Sequence, residues 1–217
     1  MSQVSRRSRA ELLGYFVGEP SPRIIFASLL LIGATRLFVG GWSAWDVLVA
    51  GGVFVLWPLH EWVLHVYVLH ARPVRLFGRS IELKRLSGHA EHHRDPLAWK
   101  QSFIDPRVLV VAIAMHAVLW LIIAPLELAL TGLTTTALLG LVYEWTHFLI
   151  HTDYRPRTQA FRRLWVSHRL HHFKNENYWF GVTMLSGDRL LGTHPDPAEV
   201  EVSPICRSLG LETDLVS

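Results

Sequence analysis

Four long apolar stretches constrain this chain more than any other feature. The first runs from about Ile24 to Gly41. The second starts near Asp46 and continues past Trp57. The third covers about Val108 to Ala124 and the fourth about Leu126 to Ile150. Each approaches or reaches the ~20 residues that an α-helix needs to cross a ~30 Å hydrocarbon core. The expected fold is an all-α integral membrane protein with four transmembrane helices and a cytosolic helical cap. Composition agrees, since charged residues make up 18% of the 217, below the ~25% usual in soluble domains.

Punctuation divides these stretches. Pro125 separates the third from the fourth, which predicts a tight helical hairpin. Pro20 and Pro22 break the chain ahead of the first stretch. Before them, Glu11 to Gly18 carries Leu12, Leu13, Tyr15, Phe16 and Val17 and is expected to form a short interfacial helix.

Charge then sets the orientation. The net charge is +3, but the basic residues lie between apolar runs, so they indicate membrane topology and not nucleic acid as a partner. Arg6, Arg7, Arg9 and Arg23 precede the first span. Arg72, Arg75, Arg79, Lys84, Arg85, Arg94, Lys100 and Arg107 follow the second. Arg155, Arg157, Arg162, Arg163, Arg169 and Lys174 follow the fourth. The connections Gly40 to Ala44 and around Pro125 carry no Lys or Arg. Four spans put all three basic segments, and both termini, on the cytoplasmic side. The expected organisation is a basic cytosolic segment over 1–23, a membrane domain over 24–202, and a loose tail over 203–217.

The single cysteine, Cys206, excludes an intrachain disulfide framework and a multi-thiolate metal site. Histidine is the unusual residue. There are 13, and ten fall in four groups: His65 and His70; His89, His92 and His93; His147 and His151; His168, His171 and His172. On a helix, residues i and i+4 share a face, about 40° apart at ~100° per residue. Each HxxHH group can therefore offer up to three imidazoles to a common centre. His65 and His70, five apart, differ by about 140° around an α-helix axis. Either the helix ends between them or they serve different metals. His60 makes the same spacing with His65, which leaves that pair's register open.

Ten imidazoles exceed what one ion takes, so two ions with about five ligands each is the natural division. Imidazole ligation suits iron, zinc, copper or nickel. Oxygen activation needs a redox-active metal, so a diiron centre is expected in the working protein, while zinc fits the same ligands in a purified sample. His116, deep in the third span, is expected to pack or hydrogen-bond between helices, and His194 to be structural. Glu61, Glu91, Glu144 and Asp153 are candidate partners of the ligating rings, with Asp188 structural in its turn. Tyr143, Trp145, Tyr178, Trp179 and Phe180 are candidates to line a substrate path.

At these residues the sequence resembles the fatty acid hydroxylase superfamily, and most of all its fatty acid 2-hydroxylase branch. The similarity covers roughly Leu56 to Thr193. It is most specific in HRLHHFKNENYWFGVTMLSGDRLLGT, from His168 to Thr193, and extends to YEWTHFLIH, from Tyr143 to His151, and EWVLHVYVLH, from Glu61 to His70. The last match assigns His65 and His70 as metal ligands and leaves His60 outside. The resemblance carries the ligand set onto His65, His70, His89, His92, His93, His147, His151, His168, His171 and His172. It implies hydroxylation of a lipid acyl chain with O2. The branch often carries a cytochrome b5 domain, and 23 residues before the first span do not hold one, so electrons are expected from a separate donor such as a cytochrome b5, a ferredoxin or a reductase. Val66 and Glu144 depart from the branch's Arg and Asp.

Competing readings share the histidines. A desaturase, sterol oxidase or carotenoid hydroxylase uses a similar centre. A metal transporter or store is a reading of another class, but it calls for ionisable residues along a path through the membrane, and only His116 lies deep in a span.

Overall fold

The computed structural model describes residues 7–72, 74–76, 79–81 and 88–210, with the backbone alone at 74–76 and 79–81. Arg6, Lys84 and Arg85, the side chains of Arg75 and Arg79, and the last seven residues of the tail lie outside the described residues. The chain forms two compact units. One comprises Arg7–Trp57 and Ile104–Trp145, the other Pro58–Phe103 and the chain from Thr146.

The first unit holds most of the apolar helix. Helix α1, Arg9–Gly18, opens on a capping box in which Ser8 accepts from the Glu11 amide and the Glu11 side chain accepts from the Ser8 amide. Helix α2, Pro20–Val39, begins at the proline expected to break the chain. A proline at the first helical position loses no hydrogen bond and is preset in φ, so Pro20 starts a helix there. Helix α2 ends at Gly40, and Gly40 and Gly41 both adopt the left-handed region (φ +67° and +66°), which glycine enters without steric penalty. Helix α3, Ala44–Leu64, follows and passes from the first unit to the second at Pro58.

In the chain segment after residue 104, α5 spans Pro106–Ile123, with Asp105 capping the Arg107 and Val108 amides. Helix α6 spans Leu126–Ile150 after Pro125, the bounds expected for the fourth span. Its Thr134, Thr135 and Thr136 hydroxyls donate to carbonyls four residues back, at 2.7, 2.9 and 2.8 Å, so these polar groups are satisfied within the helix.

Four helical segments, Pro20–Val39, Ala44–Leu69, Trp99–Ile123 and Leu126–Ile150, are long and apolar enough to cross a membrane. Their outward residues are apolar: Leu31, Leu37, Val47, Val55 and Ile122 are exposed, and Phe38 is 92% exposed. Water would disfavour such a surface and lipid would not.

One buried ion pair sits inside the first unit. The Arg36 guanidinium reaches Asp46 at 2.6 Å, donates to Thr131 at 2.8 Å, and also donates to the Gly40 carbonyl. Thr131 passes its own hydroxyl hydrogen to Asp46 at 2.6 Å. The set joins residues of α2, α3 and α6 and leaves no charge unpaired within it.

The second unit is built from short elements. A π-helical segment, His65–Leu69, continues α3. Strands β1, Val74–Leu76, and β2, Arg79–Ile81, form an antiparallel pair, a small departure from an all-helical fold. Helix α4 is His89–Arg94, α7 is Gln159–Phe173 and α8 is Ser186–Leu190. Residues 203–210, expected to begin a loose tail, include buried Cys206 and Leu209 and are hydrogen-bonded into this unit.

Candidate metal centre

All ten grouped histidines lie in the second unit. His65, His70, His89, His93 and His171 form one group, and His92, His147, His151, His168 and His172 form another; within each, the ligand atoms lie within 4.8 Å of one another. His60, His116 and His194 belong to neither. His116 bonds the Ala112 carbonyl of its own helix at 2.7 Å.

The local backbone explains each placement. His65 and His70 meet because the chain between them is π-helical, with the His70 amide donating to the His65 carbonyl at 2.9 Å. Closing a bond between i and i+5 brings residues five apart over one another, as the α-helix does for residues four apart. This resolves the spacing that an α-helix does not accommodate. Neither alternative, a helix end or two different metals, is needed.

The HxxHH groups do not each serve one centre, as the spacing alone allowed. His89 and His93 join the first group while His92, between them, joins the second. On α7, His168 and His172 join the second group and His171 the first. The i, i+4 pair shares a face, whereas adjacent residues diverge by ~100°, so neighbouring rings leave the helix toward different groups.

Backbone carbonyls fix the rings. The Nδ1 atoms of His65, His93, His147 and His151 donate to the carbonyls of Phe180, Cys206, Ser102 and Pro96, each at 2.7 Å, and His171 donates to Tyr178 at 2.8 Å. A carbonyl only accepts, so the hydrogen is on Nδ1 and the Nε2 of the neutral ring keeps its lone pair. His93 and His171 are both locked this way, yet their Nε2 atoms stand 3.1 Å apart. Two lone pairs at that distance repel unless a cation lies between them. The Nε2 atoms of His65 and His151 are buried with no hydrogen-bond partner, an arrangement costly for a polar atom without a further function.

Spacing supports the same reading. Ligand nitrogens ~2.1 Å from an ion and at right angles sit ~3.0 Å apart, against ~3.4 Å for a tetrahedron. The Nε2 separations are 3.0 Å for His70–His89, 3.1 Å for His70–His171, 3.2 Å for His92–His147, and 3.0 Å for His147–His168 and His168–His172. Burial keeps the rings neutral, as ligation requires. It pushes His93 down to about 3 and holds His89, His92, His151, His168, His171 and His172 well below the ordinary imidazole value. The residues fit two metal ions.

The carboxylates do something other than contact the rings. Glu61 accepts from the Val182 amide, from the Thr183 amide at 2.9 Å and from the Thr183 hydroxyl at 2.6 Å. Asp188 accepts from the Phe180 and Gly181 amides at 3.0 and 2.7 Å and from the Thr193 hydroxyl at 2.7 Å. Four consecutive amides, 180 to 183, are thus held by two buried acids, and this loop presents the Phe180 carbonyl to His65. Glu144 takes the Ser21 hydroxyl and, at 3.1 Å, the Ile104 amide. Glu91 is half-buried and stands 4.0 Å from Arg94, and Asp153 is exposed.

Of the aromatic candidates, Phe180 packs against the imidazoles, with ring centroids 5.4 Å from His65 and 5.2 Å from His171. Trp179 is fully buried, at φ +58°, and donates to the Pro195 carbonyl. Trp145 packs edge-on against Phe16. Gly181 and Gly187 allow close packing here: a Cβ on the first would meet the Met184 carbonyl, and on the second the Pro58 carbonyl.

A family model described as fatty acid hydroxylase matches residues 50–193, a stretch that contains every grouped histidine. The chain belongs to the fatty acid hydroxylase family. Among its curated relatives in that family is the dihydroceramide fatty acyl 2-hydroxylase FAH2 of Arabidopsis thaliana, 26% identical over 155 residues, covering 69% of this chain and 61% of the relative. The ceramide very long chain fatty acid hydroxylase SCS7 of Saccharomyces cerevisiae is 29% identical over 109 residues, covering 50% of this chain and 28% of the relative. The chain thus spans less than two thirds of the length of either. A solved structure titled full length scs7p, with only the hydroxylase domain visible, superposes with a TM-score of 0.68 at 24% identity, over 84% of this chain and 68% of that one. The fatty acid hydroxylase fold is therefore shared across that domain.

Proposed function

We propose that the ten histidines ligate two metal ions, five to each, and that the protein hydroxylates a lipid acyl chain at carbon 2. The observation that carries this is the convergence of imidazole Nε2 atoms at 3.0–3.2 Å in two groups, with five of the ten rings locked by backbone carbonyls. The acyl substrate is supported by the names of the two curated relatives, and its 2-position by that of the Arabidopsis relative. Iron is the expected metal, and when bound it would supply O2 activation, in which two electrons and two protons from outside and the two electrons of a C–H bond yield a hydroxylated carbon and water.

The chain's own residues do the rest. Backbone carbonyls hold five rings in the ligating tautomer. Glu61 and Asp188 fix the 180–183 loop and so the Phe180 carbonyl. Phe180 covers His65 and His171 with an apolar ring, which favours a dry site. His70 alone among the ten is partly exposed, so reagents approach from its side. Four spans suit a bilayer, where acyl substrates reside, and the charge of the basic segments favours a cytoplasmic side for the histidines. In this reading, residues 1–23 form a cytosolic segment and 24–202 the hydroxylase domain, and a separate protein delivers the electrons.

The test is lipid mass spectrometry on a host lacking the activity, with an electron donor supplied, beside a variant carrying His168→Ala and His171→Ala, one ligand from each group. Acyl chains that gain one oxygen at carbon 2 only with intact histidines are expected. Loss of two hydrogens would make the protein a desaturase, and unchanged lipids with a competent donor and full metal occupancy would overturn the acyl reading.

A further inference from the structure

Residues 203–210 lie beyond the stretch that matches the family model, yet they are tied to the histidine-bearing helices at several points. The Ser203 amide donates to the Lys174 carbonyl at 2.8 Å, at the end of α7. The buried Cys206 offers its carbonyl to the His93 ring at 2.7 Å. Arg207 donates from Nε to the His93 carbonyl at 3.0 Å and from Nη2 to the Arg94 carbonyl at 2.6 Å. Its guanidinium carbon stands 5.1 Å from the centroid of the Phe173 ring on α7. Leu209, buried at φ +52°, turns the chain back with its amide on the Ile205 carbonyl at 2.7 Å.

Helix α4 has six residues and no side-chain N-cap. A helix so short is not stable by itself, and the carbonyls of its last turn lack partners within it. A guanidinium at that end satisfies two of them and complements the partial negative charge there. The next residue back, Cys206, fixes the ring of His93. One segment therefore grips both the backbone and the imidazole of the same residue.

We propose that residues 203–210 are a strap that completes the metal group containing His93, with Arg207 as the positioning residue. This rests on reading the ten histidines as metal ligands. The strap sets the position of the α4 end through Arg207 and the tautomer of His93 through the Cys206 carbonyl. The other group receives only His92 from α4 and has no bond to the strap among the described residues, so it depends on the strap far less.

The experiment is a cobalt(II) titration of the full-length, demetallated protein in detergent, followed by absorbance. Wild type is expected to take up two equivalents. Arg207→Ala is expected to weaken one of them by about 10–100-fold, the range for loss of a residue that orients a ligand, and to leave the other unchanged. His93→Ala should weaken the same equivalent, identified by its absorbance bands. Arg207→Lys, which keeps the charge and a donor, should recover part of the affinity. Equal weakening of both equivalents, or no weakening, overturns the strap. A wild type that takes up fewer than two equivalents overturns the ligand reading itself and the strap with it. Where Arg207→Ala yields no folded protein, Arg207→Gln against Arg207→Lys decides: selective weakening in Gln supports the strap, and equal binding by the two overturns it.

Discussion

Thr183 gives both of its hydrogens to Glu61, the amide at 2.9 Å to one carboxylate oxygen and the hydroxyl at 2.6 Å to the other. The acid sits one α-helical turn before His65, and the loop it grips carries the carbonyl that orients His65. Glu61→Ala removes the carboxylate that accepts from the amides of Val182 and Thr183 and from the Thr183 hydroxyl, at a buried to half-buried place. At about 1–3 kcal/mol for each orphaned group, the expected loss is about 3 kcal/mol or more, read as a lower midpoint of thermal unfolding. Glu61→Gln keeps one acceptor oxygen and should fall between. A midpoint in Glu61→Ala equal to wild type would show that the loop does not depend on the acid.

A methyl group at position 181 separates packing from glycine flexibility. In Gly181→Ala the new Cβ meets the Met184 carbonyl and stands 2.9 Å from an Asp188 oxygen, so the loop must shift, at about 1–3 kcal/mol. Gly140→Ala meets nothing within 4 Å and lies inside α6, where alanine is favoured by about 0.5–1 kcal/mol. The two variants should move the unfolding midpoint in opposite directions. Similar shifts in both would refute the crowding at position 181.

The metal-free protein should lose stability in mild acid. Burial lowers His93 to about 3 and the six rings 89, 92, 151, 168, 171 and 172 well below the usual value. The unfolded chain protonates near pH 6.5. Below that pH the unfolded state binds more protons than the folded one, so stability falls as pH falls. Unfolding midpoints of demetallated protein from pH 7.5 to 5 should drop steadily, with zinc-loaded protein holding its midpoint to lower pH. A flat profile in the demetallated protein would contradict the buried neutral rings.

The Arg36 set makes a prediction confined to the first unit. Asp46→Ala leaves the guanidinium, 2% exposed, without its counter-charge, which should cost about 3–5 kcal/mol. Thr131→Val, which removes one hydroxyl from the set, should cost less. In folded protein neither change should alter the number of metal ions bound, measured by elemental analysis. A change in that number would mean that the pair supports the metal groups too.

Much of this was legible from residue spacing. The helix period places His147 with His151 and His89 with His93, and residue type alone marks the spans. The bounds of α6 follow from Pro125 and the end of the apolar run. What escaped the sequence has physical causes. His65 and His70 share a group only because the backbone switches to i+5 bonding, and no residue in HVYVL announces that. The ring partners are carbonyls of Phe180, Cys206, Ser102, Pro96 and Tyr178, and every residue type has a carbonyl. Glu61 was legible as a nearby acid, but its targets, Val182 and Thr183, lie in a loop that only the fold brings near. Nothing in the sequence around Arg36 points to its partners Asp46 and Thr131, which lie 10 and 95 positions away.

The neighbouring rings of His92 and His93, and of His171 and His172, go to opposite groups. Each pair is joined by one peptide link, whose Cα–Cα span is fixed at 3.8 Å by bond lengths and planarity. The gap between the two centres is thus gauged twice by covalent geometry, and a shift of α4 or α7 carries a donor of each centre with it. Because α4 gives one group both His89 and His93 and the other only His92, a displacement of α4 weakens the two unequally, and a single ring loosens alone only by rotating about its own side-chain bonds.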